Sequence, residues 1–178
     1  MTGSPRLAPV PRDACRPDIA ELLAAGAQAT GGADNVSATL AHHPGLYKRY
    51  APFVGKLLSA GQLPARDREI LILRTARRCR CEYEWHHHLR IGAEAGLDEA
   101  TIAAIGEGPG AARLNGFERT LIQVVDALLD QHTIDDELFA ALRERYDEAL
   151  LIEVLMLVGN YAMLAGVLNS LRVQLEGR

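Results

Sequence analysis

Aromatic side chains make up only 5% of this 178-residue chain, with a single tryptophan and three phenylalanines. β-Branched residues are also sparse beside alanine, leucine and arginine. Sheets are built largely from those two groups, so their scarcity favours helix before any pattern is read. Cysteine is scarce too. Cys15, Cys79 and Cys81 are an odd number and too few for a disulfide scaffold, and they read as free thiols or a transient redox pair. No apolar run reaches the length of a membrane span, since the longest, 149–157, is interrupted by Glu153. The first residues, Met-Thr-Gly-Ser-Pro-Arg-Leu-Ala-Pro-Val-Pro-Arg, lack the apolar centre of a signal peptide, so the expectation is a cytoplasmic protein with no membrane partner. An excess of positive charge is missing as well. The formal net charge is -4, which argues against a nucleic-acid partner.

What the sequence does contain is helical periodicity. Residues 1–16 are rich in proline and arginine and read as an extended arm, and residues 17–178 as one helical domain. Ile19, Leu22, Leu23 and Ala27 mark a first helix, stopped by Thr30-Gly31-Gly32. A short segment, 36–42, leads to Pro44 in the first turn of a helix over 45–59, with Pro52 inside it as a site for a kink. Further helices are expected from Ala65 to about Arg77, over 79–95 closed by Gly96, and from an Asp98 cap to Ile105. After the loop 106–110, Asn115 caps a helix to about Leu129, and Thr133 or Asp135 starts another to Tyr146. The last helix, 147 to about 175, is apolar on more than one face, which suits burial in a core or at a subunit contact. The fold class is all-α.

The stretch Arg66-Asp67-Arg68-Glu69-Ile70-Leu71-Ile72-Leu73-Arg74-Thr75-Ala76, followed by Cys79-Arg80-Cys81-Glu82-Tyr83-Glu84-Trp85-His86-His87-His88, is where chemistry concentrates. On a helix, Cys81, Glu84, Trp85 and His88 share a face at i, i+3, i+4 and i+7. Glu69 lies on the preceding apolar helix and needs a partner, because an unpaired buried carboxylate costs several kcal/mol. His88 and Cys81 are the candidates. Two carboxylates, an imidazole and a thiol from two helices form a coherent set for proton transfer.

Glu69, with Cys81 twelve residues on, Glu84 fifteen on and His88 nineteen on, resembles the Glu, Cys-x-x-Cys, His pattern of the alkylhydroperoxidase D family, with Glu84 in place of the second cysteine. The Glu82-Tyr83-Glu84-Trp85-x-x-His88 wording is more similar to the carboxymuconolactone decarboxylase-like branch, which lacks the cysteine pair. The resemblance runs over roughly 35–175 and includes Leu40-Ala41-His42-His43-Pro44 and Val158-Gly159-Asn160-Tyr161-Ala162-Met163-Leu164. It implies an alkylhydroperoxidase D-like helical bundle, a trimer or hexamer with pockets near subunit contacts, and cofactor-free acid/base chemistry on a small carbonyl, lactone or carboxylate compound. In that reading His88 is the general acid/base, Glu69 orients and charges it, Glu84 is the second carboxylate, and Cys81 lies in the pocket. Tyr83, Trp85 and Tyr161 are pocket-wall candidates.

The competing readings differ in what they ask of the cysteines and histidines. A thiol-dependent peroxidase would use Cys81 as thiolate, with Cys79 or an external thiol to resolve it. Residues i and i+2 of a helix point apart, and an extended lead-in would hold Cys79 and Cys81 about 6.6 Å apart at Cα, near the upper limit for a disulfide. A metal centre is not expected, because Glu84-x-x-His87 has no second Glu-x-x-His to complete a di-iron set. The third reading is a non-catalytic, ligand-binding helical oligomer.

Overall fold

A computed structural model describes residues 3–30 and 34–177. Among the described residues there are nine α-helices, one 3-10 turn and no strand. The helices are α1 (Pro17–Thr30), α2 (Asp34–Leu40), α3 (Pro44–Ser59), α4 (Ala65–Arg78), α5 (Glu82–Glu94), α6 (Glu99–Glu107), α7 (Gly116–Gln131), α8 (Asp136–Arg143) and α9 (Glu148–Leu171). The fold is all-α, as the periodicity requires. Gly31 and Gly32, expected to stop the first helix, lie outside the described residues.

The chain divides into two compact units, Met1–Gly61 with Val167–Arg178, and Gln62–Gly166. In the first unit, Ile19, Leu23, Ala41 and Tyr47 form a small core, with Val10, Cys15 and Leu22 packed against it. The arm carries the 3-10 turn Arg12–Ala14 and is tied by the Val10 N–H to the Ala38 carbonyl at 3.1 Å. Asp18 pairs with Lys48, linking α1 to α3, and the His43 ring caps α3 by accepting from the Leu46 N–H.

In the second unit α4 is the central helix. It packs on α5, α6 and α7, and every residue from Glu69 to Ala76 is buried. Its charged residues sit at the ends, except Glu69 and Arg74, and each of these polar groups is satisfied. Arg74 makes a two-pronged contact with Asp126 at 2.8 and 2.7 Å and donates to the Ile105 and Gly106 carbonyls. Asn115 and Glu118 form a reciprocal capping box on α7, and Asp98 and Asp135 cap α6 and α8. Residues 148–166 of α9 bury Val154, Leu157, Val158 and Ala165 on one side. The opposite side leaves Ile152, Leu155, Met156 and Met163 exposed, Ile152 by 58%. By length and composition alone α9 could cross a membrane, a test that core helices also pass.

Three helix boundaries differ from the sequence reading, two of them for the same reason. The helix expected to start at Cys79 starts at Glu82. α4 ends in a Schellman turn, in which the Arg80 N–H bonds the Arg77 carbonyl and the Cys81 N–H bonds the Ala76 carbonyl at 2.9 Å. Arg80 occupies the left-handed position at φ 52°, where a non-glycine residue costs roughly 1–2 kcal/mol. The last helix ends at Leu171 rather than 175 in the same way, with Arg172 at φ 54° and the Val173 N–H on the Leu168 carbonyl. α5 ends identically, but with Gly96 in the left-handed position, φ 86°, which the sequence shows openly. α8 also stops at Arg143, three residues short of the expected Tyr146.

Candidate active site

The α4–α5 contact sets the geometry. Gly92 on α5 lets the helices approach, because a Cβ there would stand 3.2 Å from the Leu73 and Leu97 side chains and 3.9 Å from the Glu69 Cβ. One turn earlier on α5, His88 is thereby brought onto Glu69, its Nδ1 2.6 Å from the Glu69 Oε2. The other carboxylate oxygen accepts from Arg68 Nε at 3.2 Å. On the far side of the imidazole, the Tyr161 hydroxyl from α9 lies 3.0 Å from Nε2, with the rings edge to face at 84°. Glu69, His88 and Tyr161 are all buried, Glu69 completely.

This order assigns the protons. A carboxylate can only accept, so the His88 Nδ1 carries the hydrogen toward Glu69. In the neutral ring Nε2 then holds a lone pair, and the Tyr161 O–H donates to it. A carboxylate, an imidazole and a hydroxyl stand in line, the arrangement in which a histidine moves a proton to or from its outer partner.

Cys81 and Glu84 lie on the same buried face of α5 as His88. Cys81 is not inside the helix but is its N-cap residue. Burial pushes its thiol up to about 12, and the Glu84 charge pushes the same way, against the Glu84 and Tyr83 backbone N–H groups that favour the thiolate. Both Glu84 carboxyl oxygens are buried without an oxygen or nitrogen hydrogen-bond partner, and the Cys81 thiol is the group close enough to interact with them. Burial raises the Glu84 carboxyl to about 8, so at neutral pH it is mostly protonated and a proton donor. Half-buried Cys79 is also raised by burial.

A cavity of about 380 Å³ adjoins this group, lined by Ala76, Arg77, Arg80, Cys81, Glu82 and Trp85. Of the expected wall residues, Trp85 lines it. Tyr83 packs on the His87 ring at 4.5 Å, and Tyr161 is held on His88. The structure thus joins Glu69 to His88 and Tyr161, and Cys81 to Glu84. The sequence reading did not single out Gly92, Arg77 or Arg80 as site residues; Gly92, one turn beyond His88, was the only signal of a close approach. Among the described residues no three His, Cys, Asp or Glu side chains cluster as metal ligands.

Residues 44–127, which span α3 through most of α7, match the sequence profile of the carboxymuconolactone decarboxylase family. No curated protein matches the sequence significantly. Among solved structures, the chain is similar to an alkylhydroperoxidase AhpD core, an uncharacterized peroxidase-related protein from Ralstonia eutropha JMP134. The TM-score is 0.85 at 18% identity, over 99% of this chain and 95% of that one. It is also similar to the debrominase Bmp8, with a TM-score of 0.78 at 19% identity over 96% of this chain and 92% of the other. A cysteine-to-alanine variant of that debrominase, in complex with 2,3,4-tribromopyrrole, matches at 0.79 and 18% identity, over 96% and 91%. Profile and fold agree with the Glu69, Cys81, Glu84, His88 spacing: residues 44–127 match the carboxymuconolactone decarboxylase family, and the chain as a whole shares its fold with the alkylhydroperoxidase AhpD core.

Proposed function

We propose that the protein is an enzyme of the carboxymuconolactone decarboxylase-like kind, moving protons without a cofactor on a small carbonyl, lactone or carboxylate compound. The Glu69, His88, Tyr161 line carries this reading, with contacts of 2.6 and 3.0 Å on the two imidazole nitrogens. Glu69 holds the ring in one tautomer and stabilises the imidazolium that forms when Nε2 takes a proton. His88 is the general acid/base, and Tyr161 is the hydroxyl through which it reaches outward. Glu84, protonated near pH 7, is the second acid, suited to neutralise a developing enolate or carboxylate. Cys81 stays a thiol and forms part of the wall. A homo-oligomer, trimer or hexamer, belongs to the same reading, supported by the exposed apolar stripe of α9.

A thiol peroxidase is the second reading, favoured by the place of Cys81 at the N-cap of α5, where backbone N–H groups favour a thiolate, and by the peroxidase-related structural neighbour. It ranks lower because burial holds the thiol protonated near neutral pH, and ionisation of Glu84 at higher pH opposes the thiolate further. One experiment separates the two. The protein is incubated in D2O with a panel of β-keto acids and carboxylated lactones, and proton exchange and CO2 release are followed by NMR. In parallel, hydroperoxide consumption is measured with a dithiol. Exchange or release lost in His88→Ala and kept in Cys81→Ser supports the acid/base reading. Robust peroxide turnover lost in Cys81→Ser but kept in Glu84→Gln overturns it.

A further inference from the structure

The cavity beside Cys81 is lined by two guanidinium groups, of Arg77 and Arg80, that make no ion pair among the described residues. Every other arginine of residues 62–166 meets a carboxylate, a backbone carbonyl or, for Arg145, the face of Phe117. Arg80 has no such contact, Arg77 has only the face of Trp85, and both line the same cavity. Arg77 lies over the Trp85 ring at 5.7 Å. Both side chains rest against Gly106, where a Cβ would stand 3.5 Å from the indole and 3.8 Å from the Arg77 Nε. Arg77 and Arg80 are both exposed, so their guanidinium groups are open to a ligand. Arg80 projects from the left-handed position of the Schellman turn, where glycine would be the relaxed choice.

From these features we infer that the cavity is the binding site for the acidic group of a flat, conjugated mono-carboxylate. The guanidinium fork matches a carboxylate, to which it can donate two parallel hydrogen bonds. Ala76 and the indole give the apolar wall a conjugated ring needs. Glu82, also on the lining, leaves a net of one positive charge there (two arginines less one glutamate), which fits a mono-anion and disfavours a dianion. A volume of about 380 Å³ suits a single small ring. The inference rests on the function proposed above only in calling this ligand the substrate.

Trp85 is the sole tryptophan of the chain, so its indole N–H resonance and its emission report on this cavity alone. Benzoate, phthalate and benzyl alcohol are titrated into the full-length protein and into Arg80→Gly, whose left-handed turn glycine accepts without strain. Benzoate should shift the indole resonance saturably, phthalate should bind more weakly, and benzyl alcohol should leave it unmoved. Arg80→Gly should melt no lower than the parent and bind benzoate at least about tenfold more weakly, the loss expected for one charge-assisted hydrogen bond. An unshifted resonance with benzoate, equal response to benzyl alcohol, phthalate binding as tightly as benzoate, or undiminished binding by folded Arg80→Gly would overturn the inference. Binding is read here and turnover is not, so failure leaves the role of His88 standing, and an inactive His88→Ala that still binds benzoate would leave this site standing.

Discussion

His88 presents Nδ1 to the Glu69 carboxylate at 2.6 Å, and that contact decides which face of the imidazole is available for chemistry. With Nδ1 committed as a donor, only Nε2 can exchange a proton with Tyr161 or a ligand. Nitrogen-15 NMR should find His88 as the single tautomer with hydrogen on Nδ1. In Glu69→Gln the amide can turn either an oxygen or an NH2 to the ring, so the tautomers should mix and kcat should fall. A His88 spectrum unchanged by Glu69→Gln would show that the two are not functional partners.

Tyr161→Phe removes the hydroxyl from Nε2 and leaves the ring packing in place. The expected stability loss is about 1 kcal/mol, that of one hydrogen bond. If Tyr161 carries the proton, kcat should fall far more, by a factor of about 10² or above, with KM little changed. Denaturant melts and steady-state kinetics on the same samples would separate these effects.

Glu84 should give the protein a distinctive pH response. Its carboxyl is held to about 8 in the folded chain against 4.5 ordinarily. Between those values the folded state binds more protons than the unfolded, so stability falls as pH rises through the window and levels off above it. Glu84→Gln should remove this slope, which is on the order of 1.4 kcal/mol per pH unit. If Glu84 is the proton donor, activity should also decline above about pH 8 and be largely lost in Glu84→Gln. A flat stability profile in the wild type between pH 5 and 8 would contradict this account (about one group's worth of titration is expected there).

The cysteines should differ in reactivity. Cys81 is buried and its thiol is held at about 12, so at pH 8 iodoacetamide should modify Cys15 and Cys79 well before it. Cys81→Ser should keep most catalytic activity. Rapid alkylation of Cys81 in the folded protein, followed by mass spectrometry, would instead mark it as a reactive thiol.

The α9 stripe gives a prediction about assembly. Ile152, Leu155, Met156 and Met163 are exposed by 38–58%, an apolar surface better covered than solvated. Light scattering should find an oligomer, and Met156→Lys should shift it toward the monomer. A wild-type monomer at micromolar concentration would refute this.

The sequence by itself determined the elements and most of their ends. Apolar spacing gave α3 to α7 within a few residues, and Asp98, Asn115 and Gly96 announced their caps because side-chain oxygens and a missing Cβ act locally. It also put Cys81, Glu84 and His88 on one face, since three- and four-residue steps suffice for that. The Schellman turns at Arg80 and Arg172 were not legible, because left-handed arginine has no sequence signature and persists only where surrounding bonds impose it. Tertiary structure alone chose His88 over Cys81 as the partner of Glu69, because that choice depends on how closely α4 and α5 approach at Gly92. Tertiary structure alone also delivered Tyr161, 73 residues downstream, to the second imidazole nitrogen. It likewise left Glu84 without an oxygen or nitrogen partner in a dry site, and it is that surrounding, absent from any local pattern, that makes this carboxyl an acid near neutral pH.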